Sequence, residues 1–381
     1  MTETPEPTPE TPETPDTRDT PAAHLDLLYS EAEEDLRAAV RSLLADRAEP
    51  QTVLARIEGE APYLPGLWGA LAGGIGAAGL LVPEKLGGQG ASHREAAVVL
   101  EELGRAVTPA PYLTSAVVAT ETLLALGADD GPVAELLGVL AAGEKTAVLA
   151  VPLSTAPGAD PVTEGPVPAV ADAAAADVLL VPRADGLYAV PAAEARIIPQ
   201  VPLDLTRPLA VVDTTGAVGV RLAGPETGGA AVRRGLLAGA GLLASEQLGL
   251  ATWCLEETVR HTRERHQFNR PVGSFQALKH RMAQLWLELV GARAAARAAA
   301  DALATGAPDT ELTVAVAQAY CAKVAVHAAE ECVQLHGGIG MTWEHPAHLA
   351  LKRAKSAQTA LGSTGRHQDA IAALVDLPAP R

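Results

Sequence analysis

Hydrophobic positions along this chain follow two different periods, and the period changes twice. From residue 28 to about 143 apolar residues recur at helical spacing. Ser30 and Glu33 form an S-x-x-E capping box ahead of LRAAVRSLLADR, and Ser92 with Glu95 repeats the device ahead of AAVVLEELGRAV. In the second segment Val98, Leu100, Leu103 and Val107 fall roughly on one helical repeat. Between the two lies GLLVPEKLGGQGAS, a loop full of turn signals. TSAVVATETLLALG and PVAELLGVLAAG complete a helical block. Near Lys145 the pattern switches to short β-type runs, AVLAV, DVLLVP, GLYAV, RIIPQV, LAVVD and VGVRL, separated by Pro, Gly and Asp. From about 228 it returns to three long helical segments, too apolar to stand alone, which predict a packed bundle. The order predicts an α+β chain, mainly α. It has an N-terminal helical domain over 25–144, a small central antiparallel β domain over 145–225 and a C-terminal helical bundle over 226–381.

Residues 1–24 carry no apolar period and read as a disordered acidic Pro/Thr-rich tail, either a docking arm or a plain solvated extension. That tail holds six acids and one arginine, so −5 of the formal net charge of −17 resides there. With Lys+Arg 29 against Asp+Glu 46, neither a nucleic acid nor an anionic membrane surface is an expected partner. No apolar run reaches membrane-spanning length without charge, Pro or Gly breaks, and no basic leader is visible. Cys254, Cys321 and Cys332 form no CxxC pair, which implies neither a disulfide framework nor a zinc site and fits a reducing cytoplasm. The ten histidines show no metal-ligand spacing. No metal is expected, and His336, His345 and His348 read as loop hydrogen-bonding residues. The absence of G-x-S-x-G, G-x-G-x-x-G and Walker A patterns excludes the hydrolase, Rossmann and P-loop readings.

Two clusters could carry chemistry. QLHGGIGMTWEHP, residues 334–346, closes a long helix, and Gly337, Gly338 and Gly340 free the backbone there for close approach by a ligand. Successive amides in such a turn can cradle a pyrophosphate; a Schellman-type helix cap explains the same glycines. Glu344, beside Trp343, could have its pKa raised by desolvation, as a general base requires. It is equally compatible with a surface glutamate near a helix start. RERHQFNRPVGSFQALKHR, residues 263–281, places Arg265 at a helix end, a Pro-Val-Gly-Ser turn after it, and Ser274 where it could cap the next helix with Gln276 in the first turn. Arginine pairs bidentately with phosphate and Phe268 could stack on a purine. A basic interhelical loop paired with acids is the competing reading.

Three stretches in this order around a β block resemble the acyl-CoA dehydrogenase family over nearly the whole chain after the tail. VPEKLGGQGASHREAAVVLEELGRA is similar to its PExxGG…EELG segment, RHQFNRPVGSFQALKH to R-x-Q-F-G-x-P-I-G-x-F-Q, and QLHGGIGMTWEHPAHLALKRAK to Q-x-x-G-G-x-G-x-x-x-E-x-P. The resemblance implies FAD as cofactor and an acyl-CoA substrate. A glutamate takes the α proton while the β hydride passes to the flavin, giving the trans-2-enoyl-CoA. It also implies an electron-transfer acceptor protein. The glutamate of the third motif falls on Glu344. Some members place the base on an earlier helix, but GLLAGAGLLAS offers no acid before Glu246. Arg265, Phe268 and Gln276 match positions that hold the FAD pyrophosphate and adenine, and Gln334, Leu335, His336, Gly337 and Gly338 match a stretch with a similar role. In the family these contacts reach the neighbouring subunit's flavin, which implies a homo-oligomer or a heterotetramer with a homologous subunit.

The chain also departs from the family. L-T-E-x-x-x-G-S-D, which in the family lies against the flavin ring, has become LSTAPGAD, residues 153–160. The later W-x-I-T is absent, and no tryptophan lies in the β block. G-T-S-E, also near the flavin, appears as Gly362-Ser363-Thr364-Gly365, and the F-G of the arginine motif is Phe268-Asn269. The half-site offered to a neighbour's FAD thus looks intact, and the half-site for the chain's own flavin looks eroded. Two readings follow: a dehydrogenase with Glu344 as base, or a non-catalytic subunit that completes a homologous partner's FAD site in an α2β2 complex.

Overall fold

The computed structural model describes residues 27–378 except 60–62, 128–129, 160–161 and 163–164. The acidic tail expected over 1–24 lies outside the described residues. Both capping boxes form. Ser30 caps α1 (Glu31–Arg47) with Glu33 reaching back to its amide, and Ser92 caps α3 (His93–Arg105) with Glu95 in the same role. Between them lies α2 (Pro50–Ile57), opened by a proline whose missing N–H costs nothing there. Helix α3 presents an apolar face to the core and is buried along most of its length. A wide π-type helical segment, Tyr112–Ala119, and α4 (Gly131–Ala141) complete this block.

The β region holds two small sheets. In one, β1 (Ala147–Leu149) lies beside β3 (Val178–Arg183), followed by β4 (Gly186–Pro191) and β7 (Val220–Ala223). In the other, β6 (Leu209–Asp213) sits between β2 (Val167–Ala171) and β5 (Arg196–Gln200). The expectation of a purely antiparallel block needs one correction. Strands β1 and β3 run parallel, because the chain between them crosses to the second sheet through β2 before returning.

The C-terminal bundle is built on α5 (Pro225–Glu264), α6 (Gln276–Thr305) and α7 (Thr310–His336), with α8 (Ala347–Ala357) and α9 (Thr364–Leu374) packed on it. Helix α5 crosses α3 at two glycines. A Cβ on Gly249 would fall 1.8 Å from the carbonyl oxygen of Glu101, and one on Gly104 would fall 2.0 Å from that of Glu246. Only glycine permits this backbone approach. The stretch Thr310–Met341 is long and apolar enough to cross a membrane by length and composition, but it is interrupted by charges such as Lys323, and 67% of its apolar window is buried.

A buried ionic network fastens the β region to the bundle. Arg353 of α8 donates from Nε to Asp204 at 2.5 Å, from Nη2 to the Thr206 carbonyl at 3.0 Å and from Nη1 to Glu246 of α5 at 3.2 Å. Arg207 donates to both oxygens of Glu246 at 2.5 and 2.8 Å. Two cations against two carboxylates satisfy the charge that burial would otherwise penalise.

Candidate functional site

The arginine motif forms at the end of α5. Arg265 terminates the helix, and two short strands, β8 (His266–Gln267) and β9 (Arg270–Pro271), pair across a two-residue turn at Phe268-Asn269. Both turn residues have positive φ, 53° and 60°, as a type I′ hairpin turn requires. Asparagine adopts this conformation readily, whereas for phenylalanine it is strained. Phe268 is 86% exposed, with an edge contact to Phe275 at 6.1 Å. Arg265 and Gln276 are also exposed. The cap expected of Ser274 does not form. Val272–Ser274 curls into a 3-10 turn, Phe275 becomes the capping position, and Gln276 is the first helical residue.

The glycine motif closes α7. Gly337 has φ 65° and ψ −139°, outside the left-handed helical region a Schellman cap uses, in a conformation essentially confined to glycine. No neighbour lies within 4 Å of a Cβ built on Gly337 or Gly338, so the backbone there faces open space. Gln334, Gly337 and Gly338 are exposed, whereas Leu335 and His336 are buried, so the last two can offer a surface ligand only backbone groups. The ends of α5 and α7 meet through the rings of His261 and His336, 4.3 Å apart. Arg281 near the start of α6 holds Glu331 of α7 in a fork of two 2.6 Å bonds. The three helix ends thus bring both motifs to one end of the bundle.

Behind the glycine turn the electrostatics are unusual. Glu257 is held down at about 2, chiefly by His336 and also by Arg260, against the opposing effect of burial. His336 is pulled two ways: burial lowers its pKa, but Cys332 and Glu257 outweigh it and raise it to about 9. Burial, and then the charge of His336, press His345 down to about 4.

Glu344 does not acquire the environment expected of a desolvated base. It lies exposed in the turn before α8, and its carbonyl accepts a 3.4 Å bond from Gln51. Trp343 donates its indole N–H to Glu58 at 2.7 Å and stacks on His348 at 4.5 Å, so its ring is engaged elsewhere. Glu246, the acid on the earlier helix, is locked between Arg207 and Arg353. That network was not anticipated, although one acid inside the apolar run LLASEQLGL was a signal for it.

The two segments that resemble the family's flavin-facing stretches touch each other. The Leu361 N–H donates to the Leu153 carbonyl at 2.7 Å, and a Cβ on Gly362 would stand 3.1 Å from that of Ala156. His367 is buried beneath them with Nε2 3.0 Å from the Leu361 carbonyl, and burial lowers its pKa. The cavity left beside this contact measures about 30 Å³ and is lined by Leu113, Val118, Leu149, Leu153, Leu236 and Leu361 among others, with no carboxylate. Small-molecule pockets begin near ~300 Å³, so no three-ring system fits there. A larger cleft of about 1140 Å³ opens on the outer side of Ser154–Ala159, with Arg233 of α5 and Arg366 of α9 on its wall.

Known proteins show the same architecture. The family described as "Acyl-CoA dehydrogenase, N-terminal domain" matches residues 30–144, and "Acyl-CoA dehydrogenase, C-terminal domain" matches residues 226–375. The chain belongs to the acyl-CoA dehydrogenase family. This is a family of FAD-dependent oxidoreductases of lipid and steroid metabolism. The chain is 36% identical over 335 residues to acyl-CoA dehydrogenase IpdE2 of Mycolicibacterium smegmatis, covering 87% of this chain and 95% of that protein. Its structure superimposes on the ChsE4-ChsE5 complex of Mycobacterium tuberculosis with a TM-score of 0.82 and 26% identity, covering 93% of this chain and all of the other. A Tcur3481-Tcur3483 steroid ACAD variant aligns with a TM-score of 0.79 and 26% identity, over 91% of this chain and 98% of that one.

Proposed function

We propose that this chain is one subunit of a heteromeric acyl-CoA dehydrogenase, in which it completes the FAD site of a homologous partner instead of housing a flavin ring of its own. The observation that supports this reading is the direct contact of Leu153 with Leu361, beside which a cavity of only about 30 Å³ remains, while the nucleotide-facing motifs stand open. FAD held in the partner would supply the hydride-accepting chemistry, and this chain's residues would hold its nucleotide end. Here Arg265 supplies fixed positive charge for the pyrophosphate. Gln276 and Gln334 supply polar side chains, Phe268 an aromatic face for the adenine, and Gly337 and Gly338 bare amides. The relatives that are two-chain complexes and a steroid ACAD support a homologous partner and a steroid-type acyl-CoA. An electron-transfer acceptor protein and a cytoplasmic setting go with that activity.

A second reading, a self-sufficient dehydrogenase with Glu344 as base, is favoured by the 1140 Å³ cleft with its arginines, which offers room for a phosphate-bearing ligand beside the β region. The two readings separate in a complex reconstituted from this chain and a homologous partner. Arg265→Ala should lower flavin occupancy of the complex without unfolding this chain. An unchanged flavin content would contradict the partner-completing reading.

A further inference from the structure

Where the end of α5 meets the end of α7, side chains suited to a first-row metal converge from three elements. Glu257 and His261 lie one turn apart on α5, His336 ends α7, and His345 stands in the turn before α8. Ligand atoms of Glu257, His336 and His345 all lie within 4.8 Å of one another. Both imidazoles aim Nε2 at the same carboxylate oxygen, His336 from 3.8 Å and His345 from 3.9 Å. These separations are too long for hydrogen bonds. They exceed by only about half an ångström the ~3.3 Å ligand edge of a tetrahedral site with bonds of ~2.0–2.1 Å.

His336 supplies the deciding detail. The residue is 5% exposed, and its Nε2 has no hydrogen-bond partner among the described residues. Its Nδ1 lies 2.6 Å from the Cys332 carbonyl oxygen, which fixes the Nδ1–H and leaves Nε2 facing Glu257. A backbone carbonyl holding the far N–H is how metal-binding histidines are commonly oriented.

We propose that Glu257, His336 and His345 bind a divalent transition metal of the zinc class, with water in the remaining position. Two imidazoles and a carboxylate suit zinc or cobalt, whereas calcium and magnesium prefer all-oxygen sets. The metal takes the place of the proton between His336 and Glu257, which is released on binding. His345 moves its own proton from Nε2 to Nδ1 and gives up the 3.2 Å bond it accepts from the Ala347 amide. That amide opens α8 and can turn to water. Glu257 leaves Arg260, which keeps Glu264 at 2.8 Å. The bound ion would tie α5, α7 and the turn after the glycine motif together, fixing Gly337 and Gly338 from behind. Binding needs no flavin and no partner, so it stands apart from the functional reading above.

The test uses the untagged full chain, stripped with a chelator and titrated with cobalt(II) while its visible absorbance is followed. The expected result is one equivalent bound with the intense bands of a low-symmetry site, displaced by zinc. Affinity should fall at least roughly tenfold in His345→Gln and in Glu257→Gln. Thermal unfolding of each metal-free variant separates loss of a ligand from loss of fold. Absence of stoichiometric cobalt binding to the wild-type chain would overturn the proposal. So would unchanged binding in either folded variant.

Discussion

At the outer end of the helical bundle, Arg265, Phe268, Gln276, Gly337 and Gly338 stand in solvent on tight, partly strained turns. At the β-region face, Leu153 and Leu361 join through a backbone hydrogen bond over a buried histidine. Both faces resemble flavin-binding stretches of one family; the first leaves its groups exposed, while in the second Leu153 and Leu361 join and the cleft of about 1140 Å³ lies to one side. On the proposed reading, two half-sites carried by one fold have diverged independently. Side chains at the outer end bear little of the fold's stability and are free to serve a partner. At the inner face Leu153 and Leu361 pack together and leave a cavity of only about 30 Å³ beside them.

The largest effect should come from breaking what holds the closed face in place. Arg353→Met leaves Asp204 and Glu246 buried without their shared cation, and should cost about 3–5 kcal/mol in urea unfolding. A loss under about 1 kcal/mol would mean that the network does not fasten the β region. On the open face, Arg265→Ala should leave unfolding unchanged and weaken FAD retention in the complex by roughly 10- to 150-fold, for the ~1.5–3 kcal/mol of one charge-assisted bond. Equal losses of stability and flavin would erase the contrast between the faces.

Acidity should act on both faces, through His367 at the closed face and through His345 behind the glycine turn. Burial depresses the pKa of His367, so the folded chain resists a proton that the unfolded chain accepts. The stability this provides is complete above the unfolded value near 6.5 and is lost as pH falls from there through the lower folded value. Unfolding followed from pH 7 to 5 should show that decline, and His367→Gln should reduce it, leaving the part that His345 contributes. The smallest effect is expected at Glu344. Because Glu344 is exposed, Glu344→Gln should leave turnover of the reconstituted complex near normal, and a fall of orders of magnitude would restore the self-sufficient enzyme.

Much of this was readable from residues alone. The capping boxes at Ser30 and Ser92, the helix–strand–helix order and the three motif stretches need only local pattern. The switch at Phe268-Asn269 from the family's F-G also lies in plain view, but its consequence, a strained turn projecting a ring into solvent, appears only with the dihedral angles. Other features could not be read because they join distant segments. Glu344 beside Trp343 suggested a shielded carboxyl, yet the indole is engaged by Glu58, more than 280 residues away. Glu257, His336 and His345 show no ligand spacing because three elements supply them. The parallel pairing of β1 with β3 follows from a crossover that strand patterns do not encode.

The most direct measurement is the flavin content of the purified chain, read from its visible absorbance, first alone and then after co-expression with a homologous partner. The account predicts a folded, colourless protein alone and a yellow complex with fewer flavins than chains. One flavin per chain in the isolated protein, bleached by an acyl-CoA, would contradict it.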